Sequence, residues 1–318
     1  MTSSLAPILI LSPRLAGLER RFSRDFEVVR LWENTDPASL AASGALRARA
    51  GVAAGGWGIV DDAVLERLPN LGLITCFGAG YDNIDLPACK ARGVAVTHCP
   101  AVNDRDVADL AIWLILDCVR KLSSAQDHLR SGVWEREGRT PALPGRLGGR
   151  TVGIYGLGSI GRAIGRRAEA FDCPVLWSGP RPKSDATWPY LPNLASLAEA
   201  SDILVLACPG GEATRGIVDA EILARLGSDG VLINIARGSV VDEDALIESL
   251  RSGTIAAAGL DVFAAEPTPA ERWKDVPNVS LTPHIGGGVR EAVLEQADMV
   301  LDNLRRFHAG EALAHRLV

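Results

Sequence analysis

The chain of 318 residues is long for a single core and points to two domains, and its 47% hydrophobic and 23% charged content is that of an ordinary globular protein. A net charge of −6, with no basic run and no aromatic-basic cluster, argues against a nucleic-acid partner. Met1–Ile10 lacks the positive start and long apolar core of an export signal, and no apolar run reaches the roughly 20 residues of a membrane span.

Cysteine usage agrees with a reducing cytoplasmic location. Cys76, Cys89, Cys99, Cys118, Cys173 and Cys208 are scattered without C-x-x-C spacing, so they read as core thiols, and no metal site is expected.

In chain order, the N-terminal part alternates strand-like and helix-like segments. Pro7–Leu11, Phe26–Leu31, Gly51–Ala54, Leu73–Phe77 and Val94–Thr97 read as strands, with helical stretches such as Asp61–Leu68 between them. That alternation predicts a parallel sheet. Two strand-end loops are glycine-rich, Gly55-Gly56 and Gly78-Ala79-Gly80, and such loops are where open α/β sheets bind ligands. Tight turns alone would also account for these glycines. A long helical stretch follows over Asn103–Leu129, capped by Asn103 or Asp104 and carrying Val107, Leu110, Ala111, Leu114, Ile115 and Val119. Its charged start (Asp104, Arg105, Asp106, Asp109) reads as a solvated first turn. Ser131–Gly149, rich in Gly, Pro and Arg, reads as a loop with Trp134 in it.

From Thr151 the alternation is clearer. Strands are predicted at Thr151–Tyr155, Val175–Trp177, Ile203–Ala207, Val231–Ala236, Ala256–Leu260 and Val279–Thr282. Gly156, Gly158 and Gly161 have the G-x-G-x-x-G spacing of a dinucleotide turn, with Ser159 and Ile160 opening the helix that follows. The first glycine serves the tight turn, the second lets backbone N–H groups approach a pyrophosphate, and the third lets the helix pack close to the strand. Ile160, Ile164, Ala168 and Phe171 fall on one side of that helix.

In an NAD site an acid about 20 residues after the glycines holds the adenosine ribose. Here Val175–Trp177 runs into Ser178-Gly179-Pro180-Arg181-Pro182-Lys183, with no carboxylate until Asp185. A guanidinium suits a 2′-phosphate that a carboxylate would repel. Ser178 and Arg181 therefore favour NADP(H), with NAD(H) possible. Near the C-terminus, Gly286-Gly287-Gly288 reads as a hinge and Arg290–Ala309 as an amphipathic helix with Val293, Val300 and Leu304 on one face. The predicted organisation is nested: residues 1–99 with 286–318 form one domain, and 100–285 the dinucleotide-binding domain.

Three later motifs carry chemistry: Asn234-Ile-Ala-Arg237-Gly-Ser-Val-Val-Asp242-Glu243, Asp261-Val-Phe-Ala-Ala-Glu266-Pro267, and Thr282-Pro-His284-Ile-Gly-Gly. Reduction of a 2-keto acid needs a cation for the carboxylate, a hydride donor and a proton for the carbonyl oxygen. Arg237 offers a permanently charged planar fork, and His284 can be protonated near neutral pH and act as general acid or base. Glu266 would hold the imidazole in one orientation. Taken singly, each has an ordinary structural alternative, and His98, His128, His308 and His315 read as structural or surface.

Together with Gly78-Ala-Gly-Tyr-Asp-Asn-Ile-Asp85 and Val107-Ala-Asp109, these motifs resemble the D-isomer-specific 2-hydroxyacid dehydrogenase family over most of the chain. The resemblance implies an α/β protein of two doubly wound parallel-sheet domains, a Rossmann cofactor domain inserted in a flavodoxin-like substrate domain. It implies NAD(P)H-dependent reduction of small 2-keto acids such as glyoxylate or hydroxypyruvate to D-2-hydroxy acids. Arg237, Glu266 and His284 would be catalytic, with Ala54, Gly55, Ala79, Gly80, Arg237 and Trp134 binding substrate. Gly156, Gly158, Ser159, Ile160, Gly161, Ser178, Arg181, Cys208, Pro209, Thr214, Ala236, Arg237, Asp261, His284 and Gly286 would contact the cofactor. A homodimer is implied through the long helix and the loop after it. The alternatives are a dehydrogenase of another acid, such as phosphite or phosphoglycerate, and a dinucleotide-sensing protein like the corepressors that share the scaffold.

Overall fold

The computed structural model describes residues 6–139 and 143–318. Residues 1–5 of the N-terminal segment and 140–142 of the predicted loop lie outside the described residues. The chain divides into two compact units, Met1–Asn103 with Arg290–Val318, and Asp104–Val289.

The first unit is built on a parallel sheet of β1 (Pro7–Ile10), β2 (Glu27–Arg30), β3 (Ala50–Ala54), β4 (Leu73–Phe77) and β5 (Ala95–Thr97). Their order is β2-β1-β3-β4-β5, the flavodoxin-like arrangement. Successive side chains of a strand point to opposite faces, and the burial follows that rule. Leu9, Ala53, Ile74 and Val96 enter the core on one face. Ile8, Ile10, Val52 and Leu73 enter the core on the other, where Val300, Leu301 and Leu304 of the terminal helix Arg290–Ala309 cover them. A sheet buried on both faces explains why these strands read as near-continuous apolar runs.

The second unit has β6 (Val152–Tyr155), β7 (Val175–Ser178), β8 (Ile203–Leu206), β9 (Val231–Asn234), β10 (Ala257–Leu260) and β11 (Val279–Leu281), all parallel. The order is β11-β10-β9-β8-β6-β7, and a single parallel bridge from Trp177 to Tyr190 adds a rudimentary strand outside β7. The order reverses beside β6, which sits between β7 and β8, so a crevice opens at the carboxyl ends of β6 and β8. Helices Asp104–Arg120 and Ser159–Ala170 cover one face through Leu114, Ile115 and Ile164 on Ile154, Val205 and Ile233. Leu197, Leu204, Leu232 and Leu246 fill the other face. Among the described residues, no helix is long and apolar enough to cross a membrane.

Four local expectations are corrected. The long helix is two, Asp104–Arg120 and Leu122–Arg130, because Lys121 turns into the left-handed region at φ 53° and buried Asp117 accepts the Ser123 N–H at 2.6 Å. Asp104 is buried rather than solvated. Ser131–Gly149 is not all loop: Val133–Glu137 is helical and carries Trp134, half exposed. Phe171 lies one residue past the helix end at Ala170, where the backbone leaves helical geometry, and its ring is 40% exposed instead of joining the apolar side.

Candidate active site

The turn after β6 is shaped by what its glycines must avoid. Gly156 has φ 101°, and a Cβ there would meet the Ala207 carbonyl oxygen at 2.7 Å, so the turn presses on the strand end of β8. A Cβ on Gly161 would overlap the Gly156 carbonyl oxygen, which fixes the helix against the strand. Gly158 differs, because nothing lies within 4 Å of its absent Cβ. The result is an open space at the start of helix Ser159–Ala170, whose N–H groups and dipole suit a pyrophosphate. On the far side of the crevice, Thr214 Oγ1 donates to the Pro209 carbonyl at 2.8 Å and closes the turn that follows Cys208. Cys208 is buried, and burial pushes its thiol up to about 11.

The carboxyl end of β7 carries an unfilled donor and acceptor. Ser178, the last residue of β7, is completely buried, and its hydroxyl is one of the few buried side-chain groups without a hydrogen-bond partner among the described residues. Arg181 is exposed on the loop that follows. Lys183 is committed elsewhere: its Nζ donates to the Leu157 carbonyl at 2.7 Å, clipping the loop to the glycine turn. Asp185, the first carboxylate after the strand, pairs with Arg162 at 2.8 Å. The open glycine turn and the orphaned Ser178 hydroxyl fit a bound dinucleotide.

Arg237 begins a tight turn after β9. Buried Asn234 fixes that turn, its amide donating to the Arg237 carbonyl at 3.0 Å and its oxygen accepting the Ala236 N–H at 3.0 Å. Arg237 is half-buried, and its Nη1 donates to the Ala236 carbonyl at 2.7 Å. Gly238 then lies directly on the segment that carries Glu266, since a Cβ there would overlap the backbone of Phe263 and Ala264. No other residue type permits that approach.

In that segment, the two oxygens of Glu266 have separate tasks. Oε1 accepts the Phe263 N–H at 2.9 Å, and Oε2 lies 2.6 Å from Nδ1 of His284. A carboxylate can only accept, so Nδ1 carries the proton and the ring is held in one tautomer and orientation. Both side chains are largely buried, His284 at 23% exposed and Glu266 at 15%.

His284 has φ 53°, a conformation costing a non-glycine residue on the order of 1 kcal/mol or more. Asp261 overdetermines it. Its Oδ1 accepts the Thr282 hydroxyl at 2.6 Å and the Ile285 N–H at 2.9 Å, and its Oδ2 accepts the Gly286 N–H at 2.9 Å. Asp261 thus clamps the turn from both sides of His284. Gly286, the first glycine of the expected hinge, is itself buried and held.

In the other unit, Gly55 and the Gly78–Gly80 loop are in mutual contact, as a Cβ on Gly55 would overlap the Gly80 carbonyl oxygen. Asn83 ties down the neighbouring loop, accepting the Gly56 N–H at 2.8 Å and donating to the Ala54 and Gly58 carbonyls at 3.0 and 2.6 Å. His98 Nδ1 lies 2.9 Å from the Ala79 carbonyl, so this histidine supports the loop backbone. Asn83, His98, Asn234 and Glu243 were absent from the sequence-based site. Only the position of Asn234 at a strand end and of Asn83 after a glycine loop hints at such roles.

Residues 112–286 match the family model described as D-isomer specific 2-hydroxyacid dehydrogenase, NAD binding domain. Glyoxylate/hydroxypyruvate reductase A of Arabidopsis thaliana is 41% identical over 308 residues, covering 96% of this chain and 97% of its own. The chain belongs to the D-isomer specific 2-hydroxyacid dehydrogenase family. Hydroxyphenylpyruvate reductase of Plectranthus scutellarioides, 38% identical, covers 96% of this chain and 97% of its own. Among solved structures of this dehydrogenase family, the NADPH-dependent glyoxylate/hydroxypyruvate reductase of Sinorhizobium meliloti, solved with NADP and malonate, superposes with a TM-score of 0.90. It is 39% identical and is matched over 99% of this chain and 97% of its own. The second unit's parallel sheet is accordingly that of a nicotinamide-dinucleotide domain.

Proposed function

We propose that this dehydrogenase family member reduces small 2-keto acids, glyoxylate, hydroxypyruvate or close relatives, to D-2-hydroxy acids. The observation that carries this reading is the part-buried Glu266–His284 pair at 2.6 Å, with His284 on a turn fixed by Asp261 and Glu266 beside the Phe263–Ala264 backbone on which Gly238, the residue after Arg237, packs. Bound nicotinamide supplies the hydride. Arg237 binds the substrate carboxylate with its fork. In the first unit, Ala79 and Gly80 are substrate-binding candidates through their backbone N–H groups. His284, as an imidazolium, would give its Nε2 proton to the carbonyl oxygen, and Glu266 would complement that cation at Nδ1. The reverse reaction removes the hydroxyl proton through the same nitrogen.

Within the same proposal, the cofactor is NADP(H) in preference to NAD(H). Support comes from Ser178 and Arg181 in place of a ribose-binding acid, and from the NADP complex of the Sinorhizobium meliloti reductase. Gly156, Gly158, Ser159, Ile160 and Gly161 would hold the pyrophosphate, Cys208, Pro209 and Thr214 would flank it, and Ala236, Asp261 and Gly286 would line the nicotinamide end. Ala54, Gly55 and Trp134 would border the substrate. Residues 1–99 with 286–318 form the substrate-binding domain and 100–285 the dinucleotide-binding domain. The active form is a cytoplasmic homodimer, associated through apolar side chains left exposed on helices Asp104–Arg120 and Leu122–Arg130 and the segment after them, Trp113, Leu129, Trp134 and Leu143.

A panel of 2-keto acids assayed with NADPH and NADH tests the reading. Turnover of glyoxylate or hydroxypyruvate with higher kcat/KM for NADPH is expected. No turnover of those acids or any larger 2-keto acid would overturn it.

A further inference from the structure

We infer that Glu243, outside the Arg237–Glu266–His284 set, is a positioning residue that fixes the proton-donating pair relative to the Arg237 turn. The inference rests on the roles proposed above for those three side chains.

Glu243 opens the helix Glu243–Ser252 that follows the Arg237 turn, yet it does not point to solvent as a first-turn acid ordinarily does. Its side chain is only 6% exposed. One oxygen accepts the Ala264 N–H at 2.5 Å, and the other accepts Nε of Arg272 at 2.8 Å. Arg272 also reaches Asp244 at 2.8 Å. The N–H one residue before Ala264, that of Phe263, is the one taken by Oε1 of Glu266. Two successive backbone amides are thus each bound by a carboxylate, one from Glu266 itself and one from Glu243.

The two carboxylates are neutralised by different partners. Arg272 answers the charge of Glu243, and the imidazole of His284 stands beside Glu266. This division leaves the negative charge of Glu266 directed at His284 rather than spent on a guanidinium. Covalent connection completes the strut: Arg237 through Glu243 is one short run that includes the Gly238 contact with Phe263 and ends in the Glu243 bond to Ala264. The substrate cation and the proton donor are therefore tied together at two points. Hydrogen-bonded outer partners of this kind typically change activity by about 10–100-fold when removed, because angstrom-scale displacement of a reacting group is costly.

The test compares wild type, Glu243→Ala, Glu243→Gln and Arg272→Met in steady-state reduction of hydroxypyruvate across pH, with NADPH affinity measured separately by quenching of protein fluorescence. Wild-type turnover checks the underlying function independently of the variants. For Glu243→Ala the expectation is a fall in kcat of about 10–100-fold with NADPH affinity within a factor of two. The pH profile of kcat/KM should move as well, since Glu266 is no longer held square to the ring. Glu243→Gln keeps an acceptor for Ala264 and should recover much of kcat. Arg272→Met, which leaves the charge of Glu243 unanswered, should fall between them. If Glu243→Ala does not fold, Glu243→Gln and Arg272→Met carry the comparison through their pH profiles. Wild-type kcat and an unmoved profile in the folded variants would overturn the assignment, as would kcat and NADPH affinity falling in parallel.

Discussion

Nδ1 of His284 and Oε2 of Glu266 stand 2.6 Å apart, and the other oxygen of the same carboxylate is bound 2.9 Å from the Phe263 N–H. The carboxylate is therefore aimed by the backbone before it aims the imidazole. Glu266→Gln keeps the size of the group and removes its charge. It should lower kcat by about 10–100-fold and shift the reduction pH profile to lower pH, as a neutral amide complements the imidazolium less well. An unchanged profile would show that Glu266 acts only as packing.

The close approach of Gly238 to Phe263 predicts a steric effect with a catalytic readout. Gly238→Ala forces a methyl into the Phe263–Ala264 backbone, an overpacking that costs about 1–3 kcal/mol. Thermal denaturation should show the lowered midpoint, and kcat should fall beyond the loss of folded protein because the Arg237 and Glu266 segments are pushed apart. By contrast Gly158→Ala meets no protein atom within 4 Å, so it should spare stability and weaken dinucleotide binding.

Cofactor choice should respond to the loop after β7. Arg181→Ala should lower kcat/KM for NADPH by about tenfold or more, with little effect on NADH, since a charge-assisted bond to a 2′-phosphate is worth about 1.5–3 kcal/mol. Equal losses with both nicotinamides would assign Arg181 to the surface instead.

Thiol chemistry should be silent in the native protein at working pH. All six cysteines are buried, and burial pushes the thiols of Cys89, Cys99 and Cys208 up to about 11, with Cys118 and Cys173 also raised. A thiol reagent at about pH 8 should label none of them rapidly until the chain is unfolded. The sign for stability follows. Unfolded thiols ionise near 9.0 while the buried ones stay protonated to about 11, so the fold loses stability as pH rises through that interval. Rapid native labelling of Cys208 would contradict this picture.

The sheets were legible because their strands are short apolar runs between glycine and polar punctuation, as at Leu73–Phe77 and Ile203–Leu206. Local signals failed where a distant side chain decides. Lys121 breaks a helix that periodicity carries through, because Asp117 captures the Ser123 N–H and accepts the Ser280 hydroxyl from β11. The motifs named Arg237, Glu266 and His284, but the contact between the last two depends on how two loops meet. Glu243 was quoted inside a motif without a role, since the amide it binds lies 21 residues further along the chain. His98 was read as structural, and its bond to the Ala79 carbonyl shows what it supports, the backbone of the Gly78–Gly80 loop. Spacing finds residues that repeat with an element; it does not find partners set by the fold.

The most direct test of the account follows reduced-nicotinamide consumption with glyoxylate and hydroxypyruvate in wild type and His284→Ala, with NADPH affinity measured alongside. The account predicts turnover by the wild type, a loss of kcat of about 10²–10⁴ in the variant, and NADPH affinity essentially unchanged. Near wild-type turnover by His284→Ala would contradict it.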